Sequence, residues 1–340
     1  MAPPDPPGFF PPATTIPPLS SPHETTLILL HGRGLSAHTF GPDLLATAFR
    51  PPSSSPSTSP NPPSTTTLPT HLPHTKFLLP LAPRHRATIY KRSIIHQWFD
   101  SWHLESCAPG TEEWRVVDGL RDTVAHVHAL VRAEAALVGG SGNVVLAGLS
   151  QGCAAAVVAG LLWDGEERLG AVVGMCGWLV FEGGVRGVVG RGEGGGDGED
   201  DPFERDKGDG EVAPFEKNEE DGGFDPFERD EEDDSGDKGE MTVEAQVVRL
   251  LREMLEMDGD VGDGSRPKSF DTPIFLGHGT EDDKVPIVRG REAAECLRAT
   301  GVDVEWKEYP GLGHWYSPDM LTDITAFLQR RLGWGQDTPS

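Results

Sequence analysis

Val144-Val145-Leu146-Ala147-Gly148-Leu149-Ser150-Gln151-Gly152, followed by Cys153-Ala154-Ala155-Ala156-Val157-Val158-Ala159-Gly160-Leu161-Leu162-Trp163, decides how this sequence is read. An apolar run, Asn143 to Ala147, predicts a buried strand, and the Ala/Val-rich run from Gly152 to Trp163 predicts a helix. Between them Gly-x-Ser-x-Gly marks a strained strand-to-helix turn that projects the serine Oγ above the carboxyl edge of a sheet. In a chain with 42 glycines the five-residue pattern alone says little. The strand before it and the helix after it give it meaning. The same twenty residues approach the length of a membrane span, but Ser150, Gln151 and three glycines in the middle favour strand, turn and buried helix.

Outward from this unit, strands alternate with helices. Thr25-Thr26-Leu27-Ile28-Leu29-Leu30 reads as a buried strand entering the loop His31-Gly32-Arg33-Gly34. Strand character returns at 76–80, and helical spacing covers 112–138. After the serine turn come a strand at 169–175, a helix at 241–257, and a strand at 273–277 ending in His278-Gly279. A helix at 285–299, a strand at 302–309 and a closing helix at 319–332 complete the pattern. Several strands are apolar throughout, as expected of a mostly parallel, doubly wound sheet covered on both faces.

Composition separates this domain from its insertions. Only 36% of residues are apolar, and 30 prolines join the 42 glycines, so part of the chain lies outside any core. Residues 1–22 form a Pro-rich N-terminal segment expected to be extended and weakly ordered. The α/β domain then spans 23–335 as a single unit, interrupted by a Pro/Ser/Thr-rich insertion at 51–75 and an acidic Gly-rich insertion at 185–240. Residues 193–240 carry 22 Asp and Glu against five Lys and Arg, a net of −17 out of the chain's −25. That charge excludes nucleic acid as a partner, since phosphate binding needs clustered cations. Within the acidic insertion Asp201-Pro202-Phe203-Glu204-Arg205-Asp206 recurs at 225–230. Local duplication inside a loop is the plain reading. The functional alternative is a weak protein partner, because Asp-Pro-Phe resembles peptides bound by appendage domains of vesicle-coat adaptors.

Cys107, Cys153, Cys176 and Cys296 have neither paired nor metal-ligand spacing, which fits free thiols in a reducing, cytoplasmic setting with no metal. Met1-Ala2-Pro3-Pro4-Asp5 lacks the basic-then-apolar pattern of a signal peptide, and no transmembrane segment is expected.

A serine is a weak nucleophile until a base takes its proton. Only His278 and His314 follow Ser150. His314, in Gly311-Leu312-Gly313-His314-Trp315, sits between the last strand and the last helix, where a serine, acid, histidine chain order delivers the base. His278 ends a strand and reads as a buried structural residue. Glu281, Asp282 and Asp283 are all candidates for the acid that orients the imidazole. Asp260 and Asp263 precede the strand and read as solvated loop charges. Two backbone N–H groups are needed for the developing oxyanion, and Gln151 and Arg33 are the candidates.

These pieces resemble the acyl-protein thioesterase/carboxylesterase family of α/β-hydrolases. The marks are Leu30-His31-Gly32-Arg33-Gly34, Pro80-Leu81-Ala82-Pro83, Trp98-Phe99-Asp100, Gly148 to Gly152, Cys176-Gly177-Trp178-Leu179, His278-Gly279 with Val285-Pro286, and Gly313-His314. The resemblance implies an α/β-hydrolase fold and places the acid on Asp282. It also implies a cofactor-free cytosolic enzyme that cleaves acyl thioesters or carboxylic esters, S-acylated proteins among them, beside an apolar trough. Trp98, Leu149, Trp178 and Trp315 are expected around that trough, with a plain core aromatic as the alternative for Trp98. Leu35, Cys153, Asp283 and Trp315 depart from the family's usual residues, and Asp283 leaves a second carboxylate within reach. A small-ester carboxylesterase or lysophospholipase, or a catalytically silent binding protein of the same fold, are the competing readings.

Overall fold

The computed structural model describes residues 3–52, 64–101, 114–193, 241–258 and 262–335. The repeated Asp-Pro-Phe segment and Cys107 lie outside these residues. Strands β1 (Thr14–Ile16) and β2 (Thr25–Leu30) open the chain, followed by helices α1 (Ala37–Ala46) and α2 (Leu68–His71). Next come β3 (Thr75–Leu79) and the hairpin strands β4 (Arg84–Ala87) and β5 (Ser93–His96). Helix α3 (Trp114–Val138), β6 (Val144–Leu149), α4 (Gln151–Leu161), β7 (Ala171–Met175) and α5 (Glu182–Glu193) follow. The chain ends with α6 (Val243–Met254), β8 (Ile274–Gly279), α7 (Ile287–Ala299), β9 (Val304–Tyr309) and α8 (Pro318–Leu332).

Seven strands form one sheet in the order β1-β3-β2-β6-β7-β8-β9, all parallel except β1, which runs antiparallel to β3. A mostly parallel sheet is what the alternating pattern predicts, and this one agrees with the α/β-hydrolase fold that the resemblance implies. β2, β6, β7 and β8 are apolar because each is paired on both sides and covered on both faces. One core cluster joins α3, α4 and α7 to the sheet, and another joins α1, α2 and α8 to its opposite face. From β2 the chain moves outward to β3, then returns to place β6 on the other flank of β2. That reversal is the topological switch point, where the loops leaving two adjacent strands diverge and open a crevice.

Three expectations need correction. The N-terminal segment is not a loose lead-in. It adds edge strand β1, Asp5 accepts from the Arg84 amide at 2.8 Å, and Phe10 stacks on His126 at 4.0 Å. The 51–75 insertion is tied down at its end, because Phe49 bridges to Thr66 and Leu68 and Leu72 are buried. The acidic insertion begins later than 185, since α5 runs to Glu193 and buries Val185 and Val188. Isolated apolar residues in polar surroundings were enough to anchor each segment.

Candidate active site

The register of β6 against β2 pairs Leu30 with Gly148, so His31-Gly32 leaves the sheet alongside Leu149-Ser150. Ser150 has φ 58° and ψ −120°, a left-handed backbone that costs a non-glycine residue roughly 1–3 kcal/mol and persists only where surroundings impose it. Here they do. The Ser150 N–H donates to Met175 O at 2.8 Å, fastening the turn to the end of β7. A Cβ on Gly148 would lie 2.2 Å from Gly152 C and O, and one on Gly152 would lie 2.3 Å from Leu30 O. Backbone meets backbone on both sides of the serine, so only glycine fits.

Facing this turn, residues 32–35 form a β-turn closed by Leu35 N–H on Gly32 O at 3.1 Å, with Gly34 at φ 78°. Arg33 occupies the first central position. Its guanidinium donates to Ser101 Oγ at 2.8 Å and lies over the Tyr90 ring. Gln151 is the first residue of α4, so its N–H has no helical acceptor four residues back. The Arg33 and Gln151 amides thus occupy the two loops of the switch-point crevice.

A buried polar frame joins those loops. The Trp98 indole N–H donates to His31 O at 2.7 Å, while the Trp98 amide donates to Gln151 Oε1 at 3.0 Å. Gln151 Nε2 returns a bond to Phe99 O at 2.7 Å. His31 is locked as one tautomer, donating from Nδ1 to Gly32 O and accepting the Ala82 amide at Nε2. Burial pushes its pKa down to about 4, although the Gly32 bond favours the charged form.

The acid and base candidates lie at the ends of β8 and β9. His314 Nδ1 is 2.7 Å from Asp282 Oδ2. Asp282 Oδ1 accepts the amides of Lys284 at 2.9 Å and Val285 at 2.8 Å, closing a tight turn after His278-Gly279. The Asp282 side chain is wholly buried, whereas that of His314 is 20% exposed. Burial opposes ionisation of Asp282, yet bonds from His278, His314 and the Val285 amide hold its carboxyl well below the usual range. Asp283 points away, paired with Lys284 in solvent, and Glu281 is exposed.

Cys176, in the left-handed region at φ 51°, ties the two halves together. Its amide donates to Gly277 O, and its thiol donates to Trp315 O at 3.3 Å, next to His314. Burial pushes this thiol up to about 12. Cys176, His278 and Asp282 offer three ligand-type atoms within 4.8 Å of one another. Each is engaged by the hydrogen bonds just described or, for His278, by Val285 O and Asp282, so a cation would have to displace them all.

The residues expected around the trough are placed differently. Trp98 is fully buried and serves the polar frame, so the core alternative describes it. Leu149 is buried in the sheet core, with no surface to offer a ligand. Trp178 packs edge-on to Phe99 and lines a small internal cavity with Cys153, His278 and Trp306. Trp315 is half-buried against Phe40 and Tyr316, directly after His314 in the chain. Sequence reasoning missed the side chains of Gln151, Cys176 and His31. Their only signal was that each is a polar residue inside an apolar strand-end motif.

A family model described as phospholipase/carboxylesterase matches residues 62–188 and 264–332. The chain is 22% identical over 315 residues to acyl-protein thioesterase 1 of Gibberella zeae, covering 93% of this chain and 94% of that protein. It is 42% identical over 67 residues to carboxylesterase SOBER1 of Arabidopsis thaliana, a match spanning 20% of this chain and 29% of the relative. The crystal structure of Zea mays acyl-protein thioesterase 2 superposes with a TM-score of 0.56 at 20% identity, covering 94% of this chain and 99% of that one. Among the described residues no helix is long and apolar enough to cross a membrane.

Proposed function

The chain belongs to the phospholipase/carboxylesterase family, whose members act on ester bonds, and from that premise we propose that it hydrolyses acyl thioesters or carboxylic esters through an acyl-enzyme on Ser150. The observation that carries this reading is the 2.7 Å contact between His314 and a buried, ionised Asp282, on the sheet edge from which the strained Ser150 turn projects.

In this mechanism Asp282 holds the Nδ1–H tautomer of His314, which leaves Nε2 as the base. His314 takes the Ser150 proton as Oγ attacks the acyl carbon, and the carbonyl oxygen becomes an oxyanion met by the Arg33 and Gln151 amides. His314 then returns the proton to the departing thiolate or alkoxide. A water molecule, deprotonated by the same imidazole, then attacks the acyl carbon, and the imidazolium returns that proton to Ser150 Oγ as the carboxylic acid leaves. Asp282 stays ionised throughout. The chemistry draws on no cofactor.

Thioesters and oxyesters pass through the same tetrahedral geometry, so both fall within the proposal. The names of the relatives favour S-acylated proteins as one substrate class. Three described cysteines, all free and buried, fit residence in the reducing cytoplasm. The test is quenching during turnover of a long-chain acyl thioester and, separately, its oxyester, with intact-mass measurement. An acyl adduct mapped to Ser150, absent from Ser150→Ala, is expected. Turnover by Ser150→Ala at the wild-type rate would sink the proposal, and no turnover by either protein would point to a silent binding protein.

A further inference from the structure

His278 was expected to be a structural residue of the strand end, and it is buried as expected. Its side chain also reaches the acid. Nε2 lies 3.2 Å from Asp282 Oδ2 and 2.9 Å from Val285 O, so one N–H is shared between carboxylate and carbonyl.

A carboxylate has four lone-pair directions. On Asp282, Oδ1 takes the Lys284 and Val285 amides, while Oδ2 takes His314 Nδ1 and His278 Nε2. All four are filled. His278 is itself held from every side. Gly290 on α7 leaves it room, since a Cβ there would lie 2.5 Å from Nδ1. The Trp306 ring of β9 lies 6.0 Å away, and the Cys176 thiol closes the β7 side. Glu308, paired with His278 across β8 and β9, has its carboxylate occupied by Arg291 and Trp306.

We propose that His278 is a positioning residue for the acid: a second imidazole on Asp282 Oδ2 that fixes the carboxylate and shares its charge with His314. The inference rests on the triad reading given above. Two consequences follow. Orientation affects the chemical step, so losing the donor lowers kcat more than it raises KM. Charge sharing affects His314: with His278 silent, Oδ2 interacts more strongly with His314 alone and stabilises the imidazolium. The acid limb of kcat/KM, which reports protonation of the base in free enzyme, then moves to higher pH.

The experiment is a pH profile of the full-length protein on a soluble acyl ester for His278→Phe, His278→Gln, Asp282→Asn and wild type. His278→Phe removes the donor, and His278→Gln keeps an N–H near the same place. For the Phe variant we expect kcat down about 10- to 100-fold, by analogy with the loss of a hydrogen-bond partner that orients a metal-bound histidine or carboxylate. KM should stay within threefold and the acid limb should rise by about half a pH unit or more, with Gln restoring most of both. An unshifted limb in His278→Phe, or equal losses in Phe and Gln, would overturn the assignment. If the Phe variant does not fold, Gln decides alone: near-wild-type kcat and limb support the proposal, and a loss beyond tenfold overturns it. Asp282→Asn separates the two levels. Full activity in that variant defeats the triad reading, whereas an inactive Asp282→Asn beside an unaffected His278→Phe defeats only the role of His278.

Discussion

The two halves of the site are built from different materials. At the β2/β6 crevice, Ser150 and the Arg33 and Gln151 amides are placed by backbone: a left-handed serine, a β-turn, and glycines packed carbonyl to Cα. At the β8/β9 ends, Asp282 and His314 are placed by side-chain hydrogen bonds on short loops, with His314 partly in solvent. The first half is a shape, and any added atom spoils it. The second is a set of protons and lone pairs, where an isosteric change keeps the shape and destroys the chemistry. Steric substitutions should therefore hurt stability on one side, and isosteric ones should hurt only turnover on the other.

Gly152→Ala gives the largest effect on stability. Its new Cβ would meet Leu30 O at 2.3 Å and His31 O at 2.7 Å, both backbone atoms with nowhere to go. A loss of about 3 kcal/mol or more is expected, beyond most core substitutions. A thermal midpoint within two degrees of wild type would break the contrast. On the other side Asp282→Asn should fold normally and lose about 10⁴-fold in kcat, the order expected when the imidazole loses its orienting acid. Asp283→Asn, which changes an exposed group paired with Lys284, should stay within twofold. A loss of only about tenfold in Asp282→Asn, falling much further when Asp283→Asn is added, would mean that Asp283 can take over.

Trp98→Phe is intermediate. It strands the buried His31 carbonyl, at a cost of about 1–3 kcal/mol, and loosens the loops that carry the Arg33 and Gln151 amides. A fall in kcat of about tenfold with unchanged KM is expected, on the scale of small misplacements. Unchanged kcat in a destabilised protein would confine Trp98 to packing. The smallest effect is on pH. His31 titrates near 6.5 when unfolded and near 4 in the fold, so its contribution is present above pH 6.5 and lost as pH falls toward 4. Between pH 7 and 5 that amounts to about 2 kcal/mol. Denaturant unfolding of wild type and His31→Gln at both pH values should show a smaller fall in the variant. His126, also pushed down to about 4 by burial, keeps part of the slope in both.

The fold was legible because its central strands are apolar throughout and its breaks coincide with glycine and proline. Elements whose cause is long-range were not. β1 exists because β3 offers an unpaired edge to a Pro-rich chain, and α5 continues into an acidic stretch because Val185 and Val188 find α6 and α7. Ser150 and His314 could be singled out by their neighbours in sequence. Asp282 could not be separated from Glu281 and Asp283 by composition, because what distinguishes it is the turn that aims its carboxylate inward. The trough residues were least legible, since Trp98 and Leu149 lie in apolar contexts that suit a core and a pocket equally well.

The central claim is that Ser150 is the nucleophile activated by His314. Labelling the intact protein with a fluorophosphonate, followed by peptide mapping, tests it most directly. The account predicts one adduct on Ser150, none in Ser150→Ala, and labelling of His314→Ala slowed by at least a hundredfold. Labelling at another residue, with hydrolysis intact in Ser150→Ala, would contradict it.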